Sequence, residues 1–278
     1  MNAIEIKGLT KRYKDFTLDN VSLTLPCGCI MGLVGENGAG KSTTIKLMLD
    51  MLRKNDGEII LLGKEHTAVS KEDIGVVLEE NGFPESLNAT EMNHIFKNVY
   101  KQWDEEKYFE YLERFELPPK KKIKDFSKGM KMKLYISAAL SHNARLLILD
   151  EPTSGLDPVV RDEMLDIFND FTRDENNSIL ISSHIVSDLE KLCDYIAFIH
   201  KGKLILCEEK DTLLNDYCLI QCDESTFGRM DKSAVLGYRK SEYGINAVVK
   251  TASVKGDVNI SPLGIEDLFV YMIRGKAE

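Results

Sequence analysis

Three glycines and a lysine follow the apolar run CIMGLV in the stretch CIMGLVGENGAGKSTT, where a packed core would ordinarily use larger side chains. Gly35, Gly40, Lys41 and Ser42 occupy every fixed position of the phosphate-binding pattern G-x-x-x-x-G-K-[ST]. Without Cβ atoms, such glycines let consecutive backbone N–H groups curl around phosphate oxygens. A helix that follows the loop aims its positive N-terminal end at the same anion. In this reading Asn37, Gly38, Ala39, Gly40 and Thr43 surround the phosphates. Lys41 reaches the β- and γ-phosphates, and the Ser42 hydroxyl binds Mg²⁺. The bland alternative is a glycine turn with no ligand, but the loop stands between an apolar strand and an amphipathic helix, the context that phosphate binding requires.

A metal held by one hydroxyl needs a second anchor. LLILDE, residues 146–151, is an apolar strand ending in two adjacent carboxylates. Asp150 is expected to hold Mg²⁺ through a water, and Glu151 to polarise an attacking water. Strand-end carboxylates are often only solvated, but a phosphate loop in the same chain favours the chemical role.

The elements that position these residues show in the hydrophobic pattern. AIEIKGL and FTLDNVSLTL alternate apolar and polar residues, as antiparallel strands with one buried face do. CIMGLVG, LLILD, SILIS and YIAFIH are nearly continuous apolar runs, as strands covered on both faces are. Helices between them imply a mostly parallel, doubly covered sheet. After Lys41, Ile45, Met48, Leu49 and Leu52 fall at helical spacing, and in a later helix Val160, Met164, Ile167, Phe168 and Phe171 line one face. Residues 84–142 read as mainly helical: Tyr108, Tyr111, Leu112 and Phe115 mark one face of a helix that Pro118-Pro119 stops. From about Asp211 the pattern weakens. YCLIQC and NAVVK read as strands, and Ser261-Pro262 as the cap and first turn of a helix facing inward with Ile265, Leu268, Phe269 and Met272. The expected architecture is α/β: a mostly parallel covered sheet, an antiparallel β subdomain, a helical subdomain and a small C-terminal α+β appendage.

Composition narrows the classes. The 278 residues carry a formal net charge of −9, which argues against a chain that binds nucleic acid over its whole surface. No apolar run approaches the roughly 18–20 residues needed to cross a bilayer, and the first residues show no signal-peptide core, so a cytoplasmic protein is expected. Six cysteines, with Cys27 and Cys29 the closest pair, lack the spacing of a zinc site and read as reduced thiols. A guanine-reading Asn-Lys-x-Asp motif is missing from the sequence, which disfavours a GTPase.

FSKGMKMKLYISAALSHNARLLILDEPTSGLDP resembles the signature motif, the Walker B strand and the D-loop of ATP-binding cassette (ABC) ATPases, in that family's order and over roughly residues 3–215. The resemblance implies a P-loop NTPase fold, with an ABC ATPase domain over 1–215, its helical subdomain at about 84–142, and the appendage at 216–278. It implies that Ser127 and Gly129, on the variant signature Phe-Ser-Lys-Gly-Met, face the γ-phosphate held by the P-loop of a second subunit. Asp157 falls in the D-loop, which in the family crosses the dimer interface. His184 falls on the switch histidine, and Tyr13 on the aromatic that stacks on adenine. Glu79 stands where the family usually has a glutamine that touches Mg²⁺. A carboxylate can also ligate the metal, but it lacks the amide donor.

The function so implied is that of an ABC transporter subunit that binds and hydrolyses ATP with Mg²⁺, Lys41, Glu151 and His184 being catalytic. It would form a homodimer, or a heterodimer with a second ABC ATPase, and drive membrane-spanning permease subunits from the inner face of the cell membrane. The short appendage and the late helix GIEDLFVYMIRG resemble the ATPases of ABC-2-type exporters, including antibiotic-resistance systems. The alternative is a soluble ABC-type ATPase acting on nucleic acid or ribosomes. A single cassette, no heptad run and the acidic balance leave no nucleic-acid partner expected.

Overall fold

The computed structural model describes residues 1–78, 82–242, 244–254 and 258–274. The chain begins with β1 (Asn2–Arg12), β2 (Thr17–Pro26), β3 (Ile30–Val34), α1 (Lys41–Met48), β4 (Asp56–Leu61), β5 (Lys64–Glu65) and β6 (Ile74–Val77). A helical stretch follows: α2 (Ala89–Val99), α3 (Glu105–Arg114) and α4 (Lys128–Leu140). Strand and helix then alternate through β7 (Leu146–Asp150), α5 (Pro158–Phe171), β8 (Ser178–Ser183), α6 (Val186–Leu192) and β9 (Tyr195–His200). The remainder is β10 (Lys203–Glu209), α7 (Lys210–Asp216), β11 (Tyr217–Cys222), α8 (Glu224–Arg229), β12 (Val235–Ser241), β13 (Gly244–Lys250), β14 (Asn259–Ser261) and α9 (Ile265–Arg274).

These strands form three sheets. The central one runs β10-β9-β3-β8-β7-β6, parallel except for the edge strand β10. The second, β2-β1-β4-β5, is antiparallel, as is the third, β12-β13-β11-β14. Alternation along the central strands divides the core in two. Ile30, Val34, Leu147, Leu149, Ile179, Ile181, Ile196 and Phe198 face the helical side. Met31, Leu33, Leu146, Ile148, Leu180, Ala197 and Ile199 face α1 and the antiparallel sheet. Each fully buried Val, Leu, Ile, Met or Phe side chain among them contributes about 1.5–3 kcal/mol relative to exposure. Slipping a strand by one residue would exchange the two sets, and because both faces are apolar, the register rests on how side-chain shapes fit the two cores rather than on polarity.

Two helices end before their apolar pattern does. α1 stops at Met48 because Asp50 adopts a left-handed backbone (φ 58°), and Leu49 and Leu52 pack on the core from outside the helix. α3 stops at Arg114, ahead of Pro118-Pro119. Glu116 is left-handed (φ 53°), with its N–H on Glu113 O and the Leu117 N–H on Leu112 O, the Schellman arrangement usually built on glycine.

The third sheet has a small core of its own around Ile220, Phe227, Ala247 and Val249. The expected cap at Ser261 is displaced. Ser261 is paired with Leu219 in β14, and α9 begins at Ile265, whose N–H donates to the Glu190 carboxylate at 3.3 Å. A side chain from α6 thus does what a local cap would have done. α9 then buries Leu268 and Phe269 against the central core, the Phe269 ring lying 5.0 Å from that of Phe198, while Met272 is only partly buried.

None of the helices is long and apolar enough to cross a membrane among the described residues. The cysteines are free thiols, and Cys193 is buried at the end of α6, where burial pushes its thiol well above the ordinary range. A thiol so protected reacts slowly. Iodoacetamide labelling followed by peptide mass spectrometry should leave Cys193 unmodified in the native protein and label it after denaturation. Rapid native labelling would mean that α6 opens.

Candidate active site

The loop after β3 is shaped by a turn within it and by a tie to the turn between β9 and β10. The Ala39 N–H donates to Glu36 O at 3.0 Å, and Ala39 O accepts from the Gly202 N–H at 2.9 Å. Gly35 lies so close to β9 that a Cβ there would meet Ile199 O at 2.5 Å. Gly38 has open space around it but a left-handed backbone (φ 81°) that side chains rarely adopt. The loop and the start of α1 form one wall of a cleft of about 710 Å³, lined by Phe16, Glu36, Asn37, Gly38, Gly40, Lys41, Ser42, Thr43, Glu151, Ser154 and His184.

Lys41 does not point into solvent. Its ammonium donates to Gly35 O at 2.7 Å and lies 3.3 Å from Glu151 Oε1, both side chains being more than nine-tenths buried. At an effective dielectric of about 20, charges this close attract by about 5 kcal/mol before desolvation is counted. Much of that offsets the cost of taking both out of water. The contact lacks hydrogen-bond geometry, so Oε1 has no hydrogen-bond partner. The other carboxylate oxygen, Oε2, is 2.7 Å from His184 Nδ1 and 3.4 Å from the His184 backbone N.

Glu151 reaches these partners through a left-handed backbone (φ 53°), a conformation uncommon outside glycine that persists where the surroundings over-determine it. The surroundings here are Ser182, directly opposite Asp150 in the parallel pairing of β7 and β8. The Ser182 hydroxyl donates to Asp150 Oδ1 at 2.5 Å and accepts from the Glu151 N–H at 3.1 Å. Ser182 therefore holds the Asp150 carboxylate and the backbone of Glu151. It reads in the sequence as one more small residue of an apolar strand, and only strand pairing reveals it.

No group of three or more His, Cys, Asp or Glu side chains that could hold a metal by itself occurs among the described residues. The donors at hand are the Ser42 hydroxyl in the cleft and Asp150, 3% exposed at the end of β7. Such a sparse oxygen set fits Mg²⁺, which retains waters and takes phosphate oxygens, rather than a metal caged by protein alone. Glu79 lies outside the described residues.

The other expected residues are distributed as follows. Tyr13 is 43% exposed, with its ring 6.3 Å from that of Phe16, and it is Phe16 that lines the cleft. Ser127 caps α4 by accepting from the Met130 N–H at 3.2 Å. Gly129 follows it, with nothing nearer than 3.7 Å to a Cβ placed there. Neither Ser127 nor Gly129 lines the cleft of its own chain; their neighbourhood is the 154–157 segment, Leu156 being the residue closest to Gly129. Asp157 caps α5 by accepting from the Val160 N–H at 3.1 Å.

Residues 18–154 match the family model for the ABC transporter. The chain is 38% identical over 211 residues to the lantibiotic transport ATP-binding protein SrtF of Streptococcus pyogenes, covering 75% of this chain and 91% of that one. It is 35% identical to the uncharacterized ABC transporter ATP-binding protein YhcH of Bacillus subtilis, over 98% of this chain and 89% of that one. The bacitracin transport ATP-binding protein BcrA of Bacillus licheniformis is 38% identical over 73% of this chain and 68% of its own length. Among solved structures, an ATP-binding subunit of an ABC transporter superposes with a TM-score of 0.68 at 28% identity, covering 76% of this chain and 91% of that one.

The loop geometry separates two glycine substitutions. Gly38→Ala should cost about 1–2 kcal/mol, from backbone strain alone. Gly35→Ala should cost more and should weaken ATP-analogue binding at least tenfold, because the loop must move off β9. Urea denaturation with calorimetric titration measures both, and a Gly35→Ala loss no greater than that of Gly38→Ala would mean that the close approach to β9 does not constrain the loop.

Proposed function

Since the chain belongs to the ABC transporter family as an ATP-binding subunit whose ATP hydrolysis is coupled to transport, we propose that it acts as a pair of identical copies bridged by two ATP molecules. Each copy supplies a phosphate loop, and the other supplies the start of α4. The observation that carries this reading is the convergence of Lys41, Glu151 and His184 on one cleft that the same chain's Ser127 and Gly129 do not line. Both halves of a site occur in one chain, so two copies complete each other. A heterodimer with a second ABC ATPase would use the same surfaces.

In the proposed mechanism an arriving triphosphate takes the Lys41 ammonium for its β- and γ-oxygens, with the loop N–H groups around it. Glu151 thereby loses its cation and is left with His184. A carboxylate whose backbone is anchored on Ser182 and whose Oε2 is steadied by an imidazole at 2.7 Å can orient a water and accept its proton. His184, 46% exposed on its side chain, faces the cleft where the γ-phosphate would lie. Mg²⁺, when bound by Ser42 and Asp150, would offset phosphate charge. Phe16 and Tyr13 offer the adenine a ring face, and Asp157 would meet the partner copy across the interface. Catalysis on this account is mostly positioning and charge stabilisation.

We further assign residues 1–215 to the ATPase domain, with 84–142 as its helical subdomain, and 216–278 to an appendage; the third sheet, beginning at Tyr217, supports that division. The subunit is proposed to serve membrane-spanning permease chains at the inner face of the membrane. The named roles of the lantibiotic and bacitracin relatives favour an exporter of antibiotic-like compounds.

Glu151→Gln tests the assignment. ATP-analogue affinity should stay within about threefold of wild type, while turnover by phosphate release falls at least a hundredfold, equivalent to about 2.7 kcal/mol in the barrier. Near-normal turnover in that variant would remove Glu151 from the mechanism.

A further inference from the structure

A second buried polar cluster adjoins the turn that carries Glu151, and its side chains pair with one another and with Leu156 O. Thr153, fully buried two residues after Glu151, donates its hydroxyl to Asp188 Oδ2 at 2.9 Å. Asp188 is 5% exposed on α6, four residues after His184. The same oxygen lies 3.6 Å from Nε of Arg161, on α5. Arg161 also donates through Nη2 to Leu156 O at 3.3 Å, within the segment 154–157 that adjoins Gly129. Three loops are thereby tied to one carboxylate: the turn carrying Glu151, the segment carrying His184 and the loop assigned to the partner copy.

One of these ties is open. Arg161 Nε is buried and has no hydrogen-bond acceptor, and its distance to Asp188 exceeds hydrogen-bond length by a few tenths of an ångström. A buried donor left unmet is unfavourable, so a small approach of α5 and its loop towards α6 would be self-stabilising. We propose that Arg161 and Asp188 are positioning residues, which close on each other when the 154–157 loop docks on a partner and so align Glu151 and His184 for hydrolysis. The inference rests on the roles given above to Glu151 and His184.

Steady-state ATPase kinetics of Asp188→Asn, Arg161→Met and the double variant test it, with Glu151→Gln as control. Expected is a loss of at least tenfold in kcat for each single variant with KM within threefold, and a double variant no slower than the slower single one. A merely structural role would raise KM and lower the melting temperature together with kcat. Additive losses in the double variant, unchanged kcat in both single variants, or KM rising in parallel would each overturn the proposal. If Asp188→Asn does not fold, Arg161→Met, at a side chain 27% exposed, still yields the kcat-against-KM split. Should Glu151→Gln remain active, the site assignment fails first; should it be inactive while the other variants behave as wild type, only this inference fails.

Discussion

Two opposite charges, each almost wholly withdrawn from water, meet on the floor of the cleft, and the rest of the site is arranged around keeping them together. Neither Lys41 nor Glu151 could be buried alone without a penalty of several kcal/mol. Their strands are not neighbours: β8 separates β3 from β7 in the central sheet. The loops meet because all three parallel strands end on the same edge, with Val34 opposite Ser183 and Asp150 opposite Ser182. Open α/β sheets collect ligand-binding loops along that carboxyl edge. The doubly covered core therefore does more than stabilise: its register sets which side chains face each other across the cleft.

In the proposed mechanism the same contact lets the site respond to nucleotide. A lysine already satisfied by Gly35 O and Glu151 would give up one partner for a more highly charged one when phosphate arrives. The carboxylate it leaves retains the Ser182 anchor on its backbone and the imidazole on its side chain. Binding and activation would then be one exchange of partners.

Much of this was legible in the sequence, for identifiable reasons. A phosphate loop demands residues that few other structures tolerate, such as a glycine pressed against Ile199 O, so Gly35 to Ser42 stand out unaided. Continuous apolar runs reveal covered strands, and Asp150-Glu151 stands out because charge interrupts such a run. Pairings made only in three dimensions were not legible. Ser182, Thr153 and Asp188 look like ordinary strand, turn and helix residues until β7, β8 and α6 are brought side by side. The early stops of α1 and α3 were hidden because Asp50 and Glu116 hold a backbone conformation usually left to glycine. The start of α9 was misplaced because its cap comes from Glu190, 75 positions away.

Whether nucleotide joins two copies is decided most directly by the sedimentation mass of the Glu151→Gln chain with and without Mg-ATP. The account predicts a shift from 31.4 kDa to twice that value, abolished by Ser127→Arg at the start of α4. A chain that binds ATP and remains at 31.4 kDa would contradict it.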